Sequence, residues 1–244
     1  LLMQPFFARP RSIYLHQPQK YRDNPVIRLD MEWEHKGGLS HGGDCGQIFY
    51  DPDLKLYRFY GLMVNWDWSK RWVCYAESKD GIHWVKPKLG QVKYLGHDTN
   101  FIGFPFDAKA HSNAIFRDPA AKSEAERYKM LYMQERNGKV SMYPGYSSDG
   151  LNWKAYDVDR PAVPYWSDTN NNLLWDAKRK RYVLYLRTFN KLSRWLDPEP
   201  IYPEDARTRT ASFATSSDFL NWDSPPAIRD ADDRFLSFHA DSKD

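Results

Sequence analysis

The heptapeptide SKDGIHW at residues 78–84 returns twice along the chain, as SSDGLNW at residues 147–153 and as SSDFLNW at residues 216–222. The three copies start 69 residues apart. A constant spacing of this size is typical of a repeat architecture, in which each repeat is one structural unit that packs on its neighbours. Because a catalytic site occurs once in a protein, we interpret the triplicated stretch as structural.

Short runs rich in Tyr, Val, Leu and Phe surround each copy, and turn-forming residues separate them. In the first repeat they are CGQIFYDPD, LYRFYGLMV, RWVCYAESKDG and HWVKPKL, and the other two repeats keep the same order. Runs of this kind predict antiparallel strands, four in each repeat. Four-stranded sheets repeated around an axis are the blades of a β-propeller. The predicted fold class is therefore all-β, a β-propeller of four-stranded antiparallel blades.

Two turns are predicted in every repeat. Asp51, Asp118 and Asp176 each end a first strand, where an aspartate starts a turn by accepting hydrogen bonds from backbone amides. The Ser-x-Asp-Gly stretch joins the third strand to the fourth, with glycine supplying a positive φ. It resembles the Asp-box turn of sialidases, which has one more residue between aspartate and glycine. Because Phe219 replaces the glycine in the third copy, we expect that turn to differ.

The domain prediction is a single propeller over residues 1–244, with blades at about 41–96, 107–162 and 167–228 and a partial blade at each end. Residues 22–29 are a candidate for the outer edge of a last blade, and the tail after residue 222 is a candidate for the start of a fourth. Since propellers close with roughly 4 to 8 blades, we expect the chain to be part of a larger propeller. A three-blade piece would leave open sheet edges, so we also expect poor solubility.

The composition excludes several classes of partner. The 35 basic and 32 acidic residues form no long run of one charge, which indicates neither a nucleic acid partner nor a membrane-surface helix. No stretch is apolar over the ~20 residues that a membrane span needs. Cys45 and Cys74 have no metal-binding or redox spacing, and we expect two buried thiols. We expect no metal and no cofactor.

Localisation and oligomeric state stay open at this stage. No secretory signal is visible at the start of the sequence. Its absence does not exclude a secreted or periplasmic protein.

Candidate functional residues lie where each first strand begins, because in a propeller these ends face the central channel. The three entrances read HGGDCG, DAKAHSN and SDTNNN. The loops between second and third strands open on the same side. Together they contribute the candidate site residues His41, Asp44, Trp66, Asp67, Asp107, His111, Glu135, Asp168, Asn170 and Arg187.

Carboxylates from separate blades would converge on one axis, which is the arrangement that glycosidic cleavage requires. Asp44, Glu135 and Asp168 are the catalytic candidates. The other candidates would bind substrate, with Trp66 as a flat platform for a sugar ring. For each residue a structural role is the alternative: Asp44 could cap a turn, and Arg187 could pair with Asp168.

The stretches YAESKDGIHWVKPKLG, RYKMLYMQ, YSSDGLNW, DTNNNLLWD and RYVLYLRT resemble the five-bladed propeller glycoside hydrolases, bacterial members in particular. These are the invertase and levanase group (family 32) and the arabinanase and xylosidase group (family 43), and the resemblance covers most of residues 24–228. It implies a small carbohydrate, an oligosaccharide or a polysaccharide as substrate, with fructosyl, arabinosyl or related sugars.

By position, the resemblance implies that Asp44 is the nucleophile or general base. Glu135 would then be the acid, and Asp168 the stabilising carboxylate or an alternative acid. The sequence departs from these families in lacking the Asn-Asp-Pro-Asn-Gly and Glu-Cys motifs.

Three other functions are alternatives. A non-catalytic carbohydrate-binding propeller would use the same pocket without an acid of raised pKa. A sialidase-like hydrolase would need three arginines around one carboxylate, and only Arg187 lies clearly on the right side. A protein-interaction propeller would carry an exposed apolar patch away from the channel.

Overall fold

The structure is a computed structural model, and it describes residues 17–41, 46–104, 109–163, 167, 170–189 and 209–223. Within these residues the chain is almost entirely β. The strands are β1 (Leu39–His41), β2 (Gln47–Asp51), β3 (Leu56–Asn65), β4 (Arg71–Ser78), β5 (Trp84–Val85), β6 (Lys93–Tyr94), β7 (His97–Asp98), β8 (Phe101–Ile102), β9 (Lys109–Arg117), β10 (Tyr128–Arg136), β11 (Lys139–Ser147), β12 (Lys154–Ala155), β13 (Asn172–Asp176), β14 (Arg181–Phe189) and β15 (Arg209–Ser216). One α-helix, α1, covers Glu32–Lys36, and a 3-10 turn covers Glu124–Glu126.

The strands form four antiparallel sheets. The smallest is the pair β6 and β7, and we call the other three blades 1, 2 and 3. Blade 1 contains β2, β3, β4 and β5 in that spatial order, with β1 continuing the line of β2 along the same edge of β3. Blade 2 contains β9 to β12 in order. Blade 3 contains β13, β14 and β15, and a bridge between Ser216 and Trp222 takes the place of its fourth strand. The predicted fold class is confirmed.

Blade 2 is buried on both faces, which explains the apolar run MLYM at residues 130–133 of β10. Tyr128 and Met130 on one face of β10 pack into a cluster shared with blade 1. Leu131 and Met133 on the other face pack into a cluster shared with blade 3. Since successive side chains of a strand point to opposite faces, a strand between two blades buries consecutive residues, and the buried Lys129 of β10 is paired with Asp118.

The Ser-x-Asp turns have one geometry in all three blades. In blade 2, Ser147 Oγ accepts hydrogen bonds from the amides of Asp149 (3.2 Å) and Gly150 (2.9 Å), and Asp149 Oδ1 accepts from Asn152 N (2.7 Å). The Trp153 indole then donates to Gly150 O at 3.1 Å. The copies in blades 1 and 3 repeat these bonds, so the structural interpretation of the triplicated stretch is supported.

Our expectation that the third turn would differ is wrong. Phe219 adopts the same left-handed backbone as the glycines it replaces, with φ of 73° against 76° at Gly81 and 74° at Gly150. A left-handed residue with a Cβ costs about 1–2 kcal/mol. Phe219 is fully buried and its ring packs against Tyr182 and Trp222. Burial of the ring therefore offsets the backbone strain.

The aspartates that end the first strands have two roles. Oδ1 of Asp51, Asp118 and Asp176 accepts backbone amides of the following turn, as predicted. In addition, Asp51 Oδ2 accepts the hydroxyl of Tyr128 from blade 2, and Asp118 Oδ2 accepts the hydroxyl of Tyr182 from blade 3 at 2.8 Å. We call this cross-blade contact the Asp–Tyr latch.

A buried cation accompanies each latch. In blade 1, Arg58 lies 3.6 Å from Asp51 Oδ2 and within about 6 Å of the Tyr75 and Tyr128 ring centroids. In blade 2, Lys129 lies 2.8 Å from Asp118 Oδ2. Removing one partner of a buried ion pair strongly destabilises the fold, because the remaining buried charge is left without a partner.

Residues 27–36 and the segment between β5 and β9 cover the face of blade 1 that points away from blade 2. Trp33 and Phe101 are buried there against Phe59 and Met63 of β3. The Lys86 ammonium, itself buried, holds α1 in place by contacting the Glu34 carboxylate at 2.8 Å. Residues 22–29, where we considered an edge strand, form no strand.

Cys74 is a free, buried thiol, and burial raises its pKa to about 12. The expectation of a buried thiol is confirmed for Cys74, while Cys45 lies outside the described residues. None of the helices in the described part of the chain is long and apolar enough to cross a membrane.

Candidate functional site

Gln47 joins the first strands of all three blades at one point. Its side-chain Nε2 donates to the carbonyl oxygen of Asn113 in blade 2 (3.0 Å) and to that of Asn171 beside blade 3 (3.2 Å). Its Oε1 accepts the amide of Ile115 at 3.1 Å. One side chain can bond two other segments only where all three segments approach within a few ångströms. The entrances of the three first strands therefore converge.

Gly46 permits this close approach. A Cβ atom at Gly46 would lie 1.3 Å from the carbonyl oxygen of Tyr60, a distance at which the two atoms would overlap. Only glycine allows the first strand to lie this close to β3 at this point. Gly46 and Gln47 thus have structural roles that we did not predict from the sequence: Gly46 permits the close approach and Gln47 bonds the other two blades.

The first strand of blade 2 bulges at its entrance. In blade 1 the described register gives β3 two partners on one edge, β2 from Gln47 onwards and β1 up to His41. In blade 2, β9 advances five residues between Leu131↔Ala114 and Met133↔Lys109, while β10 advances two. Bulges are over-represented next to active sites, where they redirect side chains.

Several predicted site residues lie where the structure gives no side-chain detail. Asp44, Asp107 and Asp168 are outside the described residues, and for His111 only the backbone in β9 is described. His111 belongs to the bulged part of β9. The assignment of these four residues as catalytic or binding residues stays a prediction.

His41 ends β1 at the entrance of blade 1 and is half-buried. Its ring contacts Phe59 edge-on, with centroids 6.2 Å apart. Burial lowers the pKa of His41, and the charge of Lys86 lowers it further, so the imidazole is neutral at pH 7. Its Nε2 is buried and has no hydrogen-bond partner among the described residues. His41 is therefore better suited to accept or donate a hydrogen bond than to carry charge.

Glu135 is exposed near the end of β10, two residues before the turn at Asn137 and Gly138. The alternation of β10 places it on the same face as Leu131 and Met133, towards blade 3. Its neighbour Arg136 is structural: the guanidinium lies 4.0 Å from the Tyr143 ring centroid and donates to the Val158 carbonyl.

On blade 3, the entrance is braced by a buried serine. Ser167 Oγ donates to Asn171 Oδ1 at 2.7 Å and accepts the amide of Arg187 at 3.1 Å. Asn171 is buried and Asn170 is half-buried. The structure therefore brings the predicted residues Asn170 and Arg187 close to the same inner segment.

Asn113 is a further polar residue at the point of convergence. Its side chain is only 7% exposed, and neither Nδ2 nor Oδ1 has a hydrogen-bond partner among the described residues. Burying an unpaired amide is costly. In the sequence, Asn113 stands directly before the apolar run AIF. We did not predict it as a site residue.

The loop between β3 and β4 displays two tryptophans to solvent. Trp66 is 80% exposed and Trp68 is 45% exposed. Asp67 Oδ1 accepts hydrogen bonds from Ser69 N (3.0 Å) and Ser69 Oγ (2.7 Å). Asn65 closes the loop by accepting the amide of Lys70 at 2.8 Å. Asp67 is thus a brace of the loop that presents Trp66.

No group of three or more potential metal ligands occurs among the described residues.

Comparison with known proteins places the fold among those of carbohydrate-active enzymes. The structure of a fructofuranosidase from Schwanniomyces occidentalis complexed with fructose aligns with a TM-score of 0.50 at 14% identity, over 75% of this chain and 34% of that chain. An N-acetylgalactosamine deacetylase from F. plautii, solved with blood group B trisaccharide, aligns with a TM-score of 0.50 at 13% identity, over 82% of this chain and 54% of that one. No protein-family model matches the sequence, and no curated protein matches it.

This similarity confirms the resemblance to propeller glycosidases at the level of the fold. The chain spans about a third to a half of the length of these two structures. At such low identity the alignment establishes architecture, and one fold supports many functions. Function therefore has to be argued from the site.

Proposed function

We propose that the chain is a propeller of the glycoside hydrolase type, cleaving glycosidic bonds of fructosyl, arabinosyl or related sugars. Asp44 is the general base or nucleophile, Glu135 is the general acid, and Asp168 stabilises the transition state or serves as an alternative acid. The reaction passes through an oxocarbenium-like state and needs no cofactor.

The observation that carries this proposal is the meeting of three entrances at Gln47. Asp44 is three residues from Gln47 in sequence, and Asp168 is three residues from Asn171. Three residues span at most about 11 Å of chain. This short sequence distance supports the proposed roles of Asp44 and Asp168, and Glu135 lies near the end of β10 in blade 2.

Two carboxyl groups on either side of a glycosidic bond suffice for hydrolysis. One protonates the leaving oxygen, and the other attacks the anomeric carbon or activates water. The neutral His41 and the amide of Asn113 are suited to hydrogen bonds with sugar hydroxyls, which need donors and acceptors without net charge.

The test is hydrolysis of inulin, levan, arabinan and aryl glycosides, followed by release of reducing sugar. We expect Asp44→Asn and Glu135→Gln each to lower kcat by about 10²–10⁴-fold, the usual contribution of an acid or base. Asp157→Asn is the matched control, since Asp157 is an exposed carboxylate just after β12, and it should leave kcat unchanged. Equal effects of all three variants, or turnover unaffected by the first two, would contradict the assignment.

The second candidate is carbohydrate binding without cleavage, and the exposed Trp66 favours it. Because Asn65 and Asp67 already hold the loop, the tryptophan is presented in a fixed position on which the apolar face of a sugar ring can rest. Affinity electrophoresis in gels containing inulin or arabinan should show retardation that Trp66→Ala abolishes. Val85→Ala, at another exposed apolar position, is the control. Retardation without turnover would favour this candidate over hydrolysis.

A further inference from the structure

The turn between β13 and β14 carries four consecutive basic residues. Asp176 pairs with Arg181 across the two strands, so the turn is the four-residue loop 177–180, with the sequence AKRK. With Arg181 added, residues 178–181 read Lys-Arg-Lys-Arg, and all four are exposed. We call residues 178–181 the basic turn.

The fold does not require this cluster of charges. In blade 1 the corresponding loop is 52–55, between the paired residues Asp51 and Leu56. The two loops share one backbone: in each the aspartate Oδ1 accepts two turn amides, and the fourth residue is left-handed, with φ of 54° at Lys55 and 50° at Lys180. The blade 1 loop, however, reads PDLK and has one acidic and one basic residue. The same turn therefore forms without an excess of positive charge.

Three of the four cations have no carboxylate partner. Arg179 contacts Asp176 Oδ2 at 2.7 Å, whereas Arg181 donates to the neutral hydroxyl of Thr215 at 3.3 Å. In the described part of the chain, no carboxylate lies within 4.0 Å of the charged atoms of Lys178, Lys180 or Arg181.

The arginines near the corresponding turn of blade 2 are paired instead. Arg117 contacts Asp53 at 2.6 Å, and Arg127 contacts Glu124. Like charges held close together repel one another. An anion that bound the basic turn would therefore supply the negative charge that blade 2 obtains from its own side chains and from blade 1.

The basic turn lies at the end of blade 3 that is remote from the entrances. β13 begins at Asn172, next to the Asn171 carbonyl that Gln47 contacts, and it ends at Asp176. Four steps along a strand span roughly 13 Å. A ligand on the basic turn would therefore leave the point of convergence open.

The surroundings of the basic turn favour an anion of moderate charge density. Thr215 Oγ1, which accepts from Arg181, donates to Asp223 Oδ2 at 2.8 Å, so a carboxylate borders the cations. A nucleic acid strand carries a phosphate roughly every 3.4 Å and would bring phosphates against this carboxylate as well as against the cations. A polysaccharide with one carboxylate in each sugar unit spaces its charges more widely.

We propose that the basic turn binds a polysaccharide that carries carboxylate groups, at a place separate from the proposed active site. Ammonium and guanidinium groups form charge-assisted hydrogen bonds with carboxylates. Because Asp176 already holds the loop, little backbone ordering is needed on binding. The choice of a polysaccharide among polyanions rests on the proposed function: the basic turn would hold the protein on a polymer whose neutral sugars it cleaves.

Affinity electrophoresis of the full chain in gels containing polygalacturonate tests this binding. We expect retardation that weakens as salt is added, and no retardation by the fully methyl-esterified polymer, which lacks the charges. Lys180→Glu should raise the apparent Kd about fivefold, the effect of losing an exposed ion pair of favourable geometry. Lys55→Glu is the matched control, because it makes the same change of charge at the same backbone position of blade 1, and it should leave the Kd unchanged.

Lys178→Glu provides a second variant that does not alter the left-handed position, and it should weaken binding as Lys180→Glu does. Absence of retardation, equal effects of Lys180→Glu and Lys55→Glu, or equal retardation by the esterified polymer would overturn the proposal. Retardation by DNA or by polyglutamate as strong as that by polygalacturonate at the same salt would overturn the assignment to a polysaccharide. Retardation is read without turnover, so a failure of the proposed hydrolysis is distinguishable from a failure of this binding. Lys180→Glu should cleave neutral substrates as the parent does.

Discussion

The third turn has Phe219 where the first two turns have glycine, and this difference predicts a measurable change in the free energy of unfolding. Replacing Phe219 with glycine removes a fully buried ring, a loss of about 3–5 kcal/mol by analogy with Phe→Ala changes in cores. The change also relieves the left-handed backbone strain of about 1–2 kcal/mol. We therefore expect Phe219→Gly to lower the free energy of unfolding by about 1–4 kcal/mol.

The equivalent position in blade 2 shows how the lost volume could be replaced. A Cβ at Gly150 would lie 2.6 Å from the Tyr60 hydroxyl and 2.8 Å from Arg58 Nη1. At the contact between blades 1 and 2, the large Arg58 side chain therefore occupies the space next to a glycine. At the next contact, the smaller Lys129 lies 5.1 Å from the Phe219 ring centroid. The contact between blades 1 and 2 thus combines a large cation with glycine, and the contact between blades 2 and 3 combines a smaller cation with phenylalanine.

Urea unfolding of the four combinations of Phe219→Gly and Lys129→Arg tests this account. We expect Lys129→Arg alone to destabilise by overpacking, at about 1–3 kcal/mol. In the Phe219→Gly background we expect it to be neutral or stabilising, with a coupling free energy of at least about 0.5 kcal/mol. Additive effects would refute the reasoning, as would a Phe219→Gly variant more stable than the parent.

Three further predictions concern the convergence point, the latch and pH. Gln47→Ala should lower the free energy of unfolding by about 1–3 kcal/mol, because it leaves backbone groups of blades 2 and 3 without partners; a urea midpoint equal to that of the parent would contradict this. Tyr182→Phe should cost about 1–3 kcal/mol by removing the hydroxyl bonded to Asp118, and thermal unfolding checks it, with Tyr50→Phe at an exposed position as the control. Burial alone would raise the pKa of Asp149, but bonds from Asn152 and Leu151 outweigh it and lower the pKa below the unfolded value of about 3.9. The stabilisation is therefore present above that pH and lost as pH falls through the lower folded pKa, so Asp149→Asn should show a flatter decline of urea midpoint below about pH 4.

The repeat spacing and the turn residues were sufficient to predict the blades. Strands and turns depend on residues that are close in sequence. The turn aspartates Asp51, Asp118 and Asp176 could therefore be identified from the sequence pattern alone. The third turn was predicted wrongly because the sequence does not show that a buried pocket beside Tyr182 offsets the strain at Phe219.

The contacts between blades were not predictable in the same way. Gln47, Asn113 and the partners of Asp51 Oδ2 are joined across 66 to 124 residues, and no local pattern identifies such pairs. Asp67 has a local role that the sequence did not indicate, since its Oδ1 accepts hydrogen bonds from Ser69 and holds the loop, while its predicted ligand contact stays a prediction.

A crystal structure with a bound sugar would test the central claim most directly, through the distances among the carboxyl groups of Asp44, Glu135 and Asp168. We predict that two of them lie about 5 to 10 Å apart on opposite sides of a sugar held next to Gln47, a separation of about 5–5.5 Å indicating retention and a longer one inversion. Carboxyl groups that are all engaged in turns, or that lie far apart with the sugar bound elsewhere, would contradict the proposed hydrolase.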